Sequence, residues 1–437
     1  MKPLKVVLMG AGSSNFGRTT LVDLMSCKDL RERSLEIWLV DTDPEAVKRM
    51  LKLGRMLKEH FKSHARIKAT TDRREALPGA GYVVAAVARQ RFPLWEQDFR
   101  VPIAFGFKHV DGENGGPGAA FHTLRSIHLV VPICKDMERL CPDALLLNFS
   151  NPESRVCLAV SKLTSIKAVG LCHGAFGTLH VVAQLLGRPV EEVTITIGGI
   201  NHFHWVLSVN GQDGRDLNAA FSKALARELH TFEPTVRRMV ELFGLLPFPA
   251  GAHIAEYVSW GYETCGMLWP QGDEGRKVGG DWRNYRRWMQ IEADRVKRVT
   301  SGKEPLGKDM TRPSGELAIP IIRDIEFDLD RRELSVNIPN AGAIPNLPDD
   351  AIVEIPARVD SSGVRGEKVG PLPEPIAAMC RTQITIQNLL VEAYANRSKH
   401  ALLQALVLDP VVNSIERAEK MMNVLLEAEA DFLPELT

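Results

Sequence analysis

The segment that most restricts the fold is Leu4-Lys-Val-Val-Leu-Met-Gly-Ala-Gly-Ser-Ser-Asn-Phe-Gly17, an apolar strand running into glycines at 10 and 12 and then a helix opening near Arg18. Strand, glycine turn and helix in this order bring backbone N–H groups and a helix N-terminus to one point, where a pyrophosphate can sit. Gly10, Gly12, Ser13, Ser14, Asn15 and Phe16 are the expected cofactor contacts. The spacing departs from the full dinucleotide fingerprint, because Asn15 stands where a third glycine is expected and the next one is Gly17. The next strand, Leu35-Glu-Ile-Trp-Leu-Val-Asp41, ends on a carboxylate that can hydrogen-bond the adenosine ribose and repel an added phosphate. NAD is therefore expected over NADP.

Strand-like runs at 66–70, 82–87 and 144–148 alternate with helical stretches around 44–61 and 124–140. This predicts an α/β fold with a Rossmann-type, doubly wound parallel sheet. The pattern changes near residue 193, where 193–198 and 204–210 read as antiparallel strands and long helices follow. Residues 1–192 are thus expected to form the NAD-binding domain, and 193–437 an α+β domain for substrate, metal and oligomerisation. The Pro- and Gly-rich tract from Val336 to Pro373 reads as irregular, and the chain from about Glu374 to Glu429 as helical.

With 54 basic and 54 acidic residues, the charge balance gives no reason to expect nucleic acid or an anionic membrane as partner. No run approaches the roughly 18 apolar residues of a membrane span, and the chain enters a strand without a cleavable leader. Cytoplasm is the expected location. Seven cysteines, an odd number, read as reduced thiols and not as a disulfide framework.

Asn148-Phe-Ser-Asn-Pro152 follows the fifth strand, so its amides are expected at the carboxyl edge of the sheet, although an Asn-Pro turn alone explains the same residues. A glycine-rich loop, 113–118, feeds a helix carrying Arg125, a candidate anion anchor or simply an ion-pair residue. Cys172 and His202 each lie at the end of an apolar strand-like run. One thiolate and one imidazole hold a divalent metal while leaving positions open for a substrate. Each alone reads as an inert buried thiol or a core histidine, and only the pair points to a metal.

The chain resembles glycoside hydrolase family 4, the glycosidases that depend on NAD and a divalent metal. The matching segments are 7–13, 41–43, Asn148–Pro152, Gly170-Leu-Cys-His173, Gly199-Ile-Asn-His202, His253-Ile-Ala-Glu-Tyr257 and 336–348. That resemblance implies a malate/lactate-dehydrogenase-like Rossmann domain with an α+β partner, assembled as a homodimer or homotetramer. It implies manganese on Cys172 and His202, a ligand pair that also accepts iron, cobalt or nickel. In place of the usual two carboxylates, such enzymes oxidise the sugar at C3, remove the C2 proton and eliminate the C1 substituent.

By the same resemblance Asn148 contacts the cofactor, Asn151 a substrate hydroxyl, and Asn201 orients His202. His173 is the candidate general acid, and Tyr257 or His253, four apart on one helix face, the base, beside an exposed Glu256. Cys172-His-Gly174 is similar to the uronide-cleaving members, whereas the family's α-glucosidases carry Cys-His-Glu and its α-galactosidases Cys-His-Ser. The expected substrate is then a small oligosaccharide or other uronide, an α-galacturonide first and an α-glucuronide next. Its carboxylate would meet an arginine, with Arg89, Arg91 and Arg312 as candidates. Alternatives are an α-glucosidase or α-galactosidase of the same family, a metal-free 2-hydroxy-acid dehydrogenase giving net NADH, and a non-catalytic NAD-sensing protein.

Overall fold

The computed structural model describes residues 3–266 and 282–437. Six strands, β1 (Leu4–Met9), β2 (Leu35–Val40), β3 (Arg66–Thr70), β4 (Tyr82–Ala85), β5 (Leu145–Asn148) and β6 (Ala168–Gly170), pair in parallel in the order β3-β2-β1-β4-β5-β6. Val6, Val7, Ile37, Leu39, Val83 and Leu146 are completely buried, as strands covered by helices on both faces require. Strand order reverses between β1 and β4, and the crevice that this opens at the carboxyl ends is where such sheets bind ligands.

The helix Phe16–Ser26 follows the β1 turn directly. Gly17, and not position 15, carries the close approach: a Cβ there would lie 2.3 Å from the Ala11 carbonyl oxygen. The shifted glycine spacing therefore has a packing cause. The helix Pro44–His60 is capped by Asp43, whose carboxylate accepts the N–H groups of Glu45 and Ala46.

In the second half, β7 (Val193–Ile200) and β8 (Phe203–Gly211) form the expected antiparallel hairpin. The tract expected to be irregular does not remain so. It holds the end of β9 (Arg331–Pro339) and all of β10 (Ile352–Asp360) and β11 (Gly363–Gly366), which extend the central sheet antiparallel beyond β6 to nine strands. Its prolines fall where a ladder tolerates them. Pro339 closes β9, Pro345 and Pro348 lie in the turn, and Pro356 sits at the register shift between Ile355 and Ala357. Val336, Val353, Ile355 and Val359 are fully buried, so this extension belongs to the core. Among the described residues no helix is long and apolar enough to cross a membrane.

Beneath the site, His109 is 1% exposed, with Nε2 2.9 Å from the Phe99 carbonyl oxygen and its ring stacked 4.8 Å from that of Phe99. Burial pushes its imidazole down from 6.5 to about 4. Between these values the folded state binds fewer protons than the unfolded one. The stability this neutral ring contributes is thus complete above pH 6.5 and lost as pH falls toward 4. At about 1.4 kcal/mol per pH unit, the loss is roughly 3 kcal/mol. Urea unfolding of His109→Gln should show a flatter acid limb than the parent by about that slope; equal slopes would mean the ring titrates normally.

Candidate active site

At the carboxyl edge Gly10 adopts φ +79°, and a Cβ there would lie 2.3 Å from the Ala86 carbonyl oxygen just past β4. The Gly12 N–H donates to Asp41 Oδ2 (2.8 Å), and the Asp43 N–H to Asp41 Oδ1 (3.0 Å). The carboxylate at the end of β2 thus lies against the glycine turn, as a ribose contact requires. Ser13 Oγ accepts the N–H groups of Asn15 (3.3 Å) and Phe16 (3.2 Å), while the Ser14 carbonyl accepts Arg18 Nε (3.2 Å). Asn15 gives the helix no side-chain cap, and no acidic residue lies in its first turn. The positive helix end is left for an anion, so these residues fit a dinucleotide pyrophosphate.

Asn148 ends β5 at the carboxyl edge of the sheet. It is fully buried, its amide donating to the Ser150 carbonyl (3.1 Å) and its oxygen accepting the Ser150 N–H (3.1 Å). It shapes the turn that presents Asn151. Asn151 Nδ2 reaches Glu113 Oε1 (3.4 Å), and its carbonyl accepts the Ser126 hydroxyl (2.6 Å).

Cys172 and His202 converge: Sγ and Nε2 are 3.3 Å apart. Cys172 lies two residues past β6, with the Gly174 N–H pointing at its sulfur (3.4 Å). His202 occupies the two-residue turn between β7 and β8 at φ +60°, a left-handed conformation that costs a non-glycine residue about 1 kcal/mol or more. The hairpin on both sides holds it there and lifts its ring to the sheet edge. Burial pushes the thiol well above its ordinary range, while burial and then the neighbouring His253 push the imidazole well below its own. Both groups are neutral as they stand. A soft sulfur beside a ring nitrogen is a donor set that fits a divalent transition metal, which would displace the thiol proton.

Around this pair His253 and Tyr257 take different directions, because the helix that carries His253 covers only Gly251–Ala255. The His253 ring lies 4.4 Å from that of His202, and both lie 5.7 Å from Phe248. Tyr257 is buried, its ring 4.8 Å from Phe203, and its hydroxyl donates to the Asn201 carbonyl (3.2 Å). Burial raises its phenol further, which keeps it protonated and leaves little phenolate to act as a base. His173 is solvent-exposed with Nδ1 3.3 Å from a Glu316 carboxylate oxygen, a contact that raises its imidazole.

Sequence reasoning missed three acids here. Glu256, expected to be exposed, is 2% exposed and accepts the N–H groups of Glu113 (2.7 Å) and Asn114 (3.2 Å). Burial, then Glu113, push its carboxyl up to about 8. Ligand-capable atoms of Asp111, His253 and Glu256 lie within 4.8 Å of one another. Glu113 carries a 2.5 Å ion pair with Arg91; burial alone would raise its carboxyl, but the guanidinium outweighs this and holds it at about 2.

The arginines divide. Arg125, a candidate substrate anchor, is buried between Asp98 and Glu429, so its charge is matched inside the protein. Arg91 is matched by Glu113 and lies 5.3 Å from the Trp95 ring. Arg312 is exposed, and Arg89 is exposed with its guanidinium 5.5 Å over Phe432. Arg89, Arg91, Glu113 and His122 line one small cavity of about 20 Å³.

Residues 5–188 match the model of family 4 glycosyl hydrolases, and residues 197–412 that of the family 4 C-terminal domain. An α-glucosidase of Erwinia rhapontici is 30% identical over 98% of both chains, and an α-galactosidase of Bacillus subtilis 30% identical over 99% of both. An α-galacturonidase of Lachnoclostridium phytofermentans is 25% identical, covering 99% of this chain and 97% of its own. The putative glucosidase lplD of Bacillus subtilis superposes with TM-score 0.85 at 23% identity over 97% of this chain and 100% of its own. A 6-phospho-α-glucosidase from gut microorganisms, solved in complex with NAD and Mn2+, superposes at 0.83 with 22% identity over the whole of both chains.

Proposed function

Since this chain belongs to family 4 of the glycosyl hydrolases, we propose that it is an NAD- and divalent-metal-dependent glycosidase that cleaves α-linked uronides, α-galacturonides first. The observation that carries this reading is the 3.3 Å approach of Cys172 Sγ to His202 Nε2 at the sheet edge that also bears the Gly10 turn. NAD bound at that turn supplies a hydride acceptor for the sugar's C3, and a metal on Cys172 and His202, manganese by family likeness, supplies Lewis-acid stabilisation of charge developing on the sugar. Iron, cobalt or nickel suit the same two ligands.

The chain's own residues do the rest. His253, whose ring lies nearest His202 and which is backed by Asp111 and Glu256, takes the C2 proton. Tyr257 holds the Asn201 backbone, and with it the turn bearing His202, in place of acting as the base. His173, on the solvent side, gives a proton to the departing oxygen. Asn151 and Asn201 hydrogen-bond sugar hydroxyls. The protein works as a homodimer or homotetramer.

Two features support a uronide. Gly174 carries no side chain where a Cβ would press 3.1 Å from Phe248, the ring packed on His202 and His253, so a larger residue there would reshape the sugar site. Arg89 and Arg91 lie together beside this site, and since Arg91 is matched by Glu113 it is the exposed Arg89 that provides cationic charge for a carboxylate. Reduced protein with NAD and Mn2+ should release galacturonate from digalacturonate, with deuterium at C2 when run in deuterated water. Release without isotope would remove the elimination mechanism. Equal or faster turnover of an α-glucoside, an α-galactoside or a phosphorylated disaccharide would sink the uronide assignment.

A further inference from the structure

We propose that a buried polar chain from Ser335 through Glu354 and His204 to Thr178 positions the two metal-ligand residues relative to each other. The Ser335 hydroxyl donates to Glu354 Oε1 (2.8 Å), and Glu354 Oε2 lies 2.9 Å from His204 Nδ1. His204 Nε2 is 3.1 Å from the Thr178 hydroxyl, which is itself 3.3 Å from the Gly174 carbonyl. All four side chains are buried, with His204, Glu354, Ser335 and Thr178 at 0% exposure.

Each end of this chain reaches one ligand. His204 stands in β8 two residues after His202, so its two ring contacts fix the strand that carries the imidazole ligand. Thr178 lies in the first turns of the helix Gly174–Leu186, and the Gly174 that it bonds points its N–H at the Cys172 sulfur. Glu354 faces Asn337 of β9, which in turn faces Gly170, the last residue of β6 before Cys172. The chain therefore adds a polar link between the strand that carries His202 and the helix that follows Cys172. A pair of ligands on separate elements needs such a bridge, because an error of a few tenths of an ångström between donor atoms weakens metal affinity, and polar partners behind ligands commonly set it. Ser335, Glu354, His204 and Thr178 are positioning residues and touch neither metal nor substrate.

The inference rests on reading Cys172 and His202 as a metal pair, and the two fail differently. If the parent protein binds no Mn2+, that reading is wrong; if parent and variant bind it equally, the positioning role is wrong. The experiment titrates Mn2+ into NAD-loaded protein, followed by the resonance of the free ion, and Co2+, followed by its thiolate charge-transfer and d–d bands. Glu354→Gln should weaken Mn2+ by about 10- to 100-fold and shift the Co2+ bands, with NAD affinity within about twofold of the parent. Thr178→Val keeps the volume and cuts the chain at its far end, so it decides the matter if Glu354→Gln does not fold. It should weaken Mn2+ several-fold with the same direction of band shift. Unchanged Mn2+ affinity and an unchanged Co2+ spectrum in Thr178→Val would overturn the proposal.

Discussion

Cys172→Ala is expected to give a folded protein that binds NAD like the parent and hydrolyses its glycoside at least about 1,000-fold more slowly in kcat/KM, even at millimolar Mn2+. The figure follows from the several kcal/mol that a metal contributes as a Lewis acid, about 4 of which correspond to three decades in rate. On the proposed reading two protein ligands hold the ion, so removing one removes the site. Folding should not suffer, since the thiol is a desolvated group whose polar neighbours include His202, the Gly174 N–H and the Asn201 side chain. Cys172→Ser should fail almost as badly, because a serine hydroxyl does not ionise in this pH range and so offers a weak neutral donor where the thiolate would be charged. Steady-state kinetics together with Mn2+ binding decide the point, and kcat/KM within tenfold of the parent would show that the metal is not held here.

The second large effect belongs to the glycine turn. Gly10→Ala should raise the NAD dissociation constant by about 100-fold or more, or leave no soluble protein. Its φ of +79° is costly for any residue with a side chain, and the added carbon would lie 2.3 Å from the backbone oxygen of Ala86, which the sheet fixes in place. Gly17→Ala should act similarly through Ala11, also at 2.3 Å. Asn15→Gly, which restores the common fingerprint spacing, should change NAD affinity by less than about threefold. Titration of NAD by protein fluorescence checks all three, and normal binding by Gly17→Ala would refute the packing role assigned to it.

The nucleotide half was legible because its signals are local: a strand, a glycine turn and an acid at the end of the next strand all lie within 41 residues. Cys172 and His202 were legible only as part of a resemblance, since neither position is distinctive by itself. The acids around them were not legible. Glu256 meets Glu113 across 143 residues of sequence, and nothing in the spacing of either announces it. Arg125 stayed open between anion anchor and ion-pair residue for the same reason, because its partners Asp98 and Glu429 lie 27 and 304 positions away. The extension of the sheet was hidden by composition. Pro339, Pro345, Pro348, Pro356 and Gly342 broke the reading of a tract whose apolar residues nevertheless form buried strands.

That extension bears on how the protein emerges from the ribosome. β6 acquires its outer neighbour only when Asn337 has been made, 167 positions after Gly170, the residue it pairs with. At about 5–20 residues per second, the nascent nucleotide-binding half waits some ten to thirty seconds with an open, apolar sheet edge beside Cys172. During that interval the edge is open to pairing with a neighbouring nascent chain, and the sheet beside Cys172 can close only after most of the polypeptide has been synthesised.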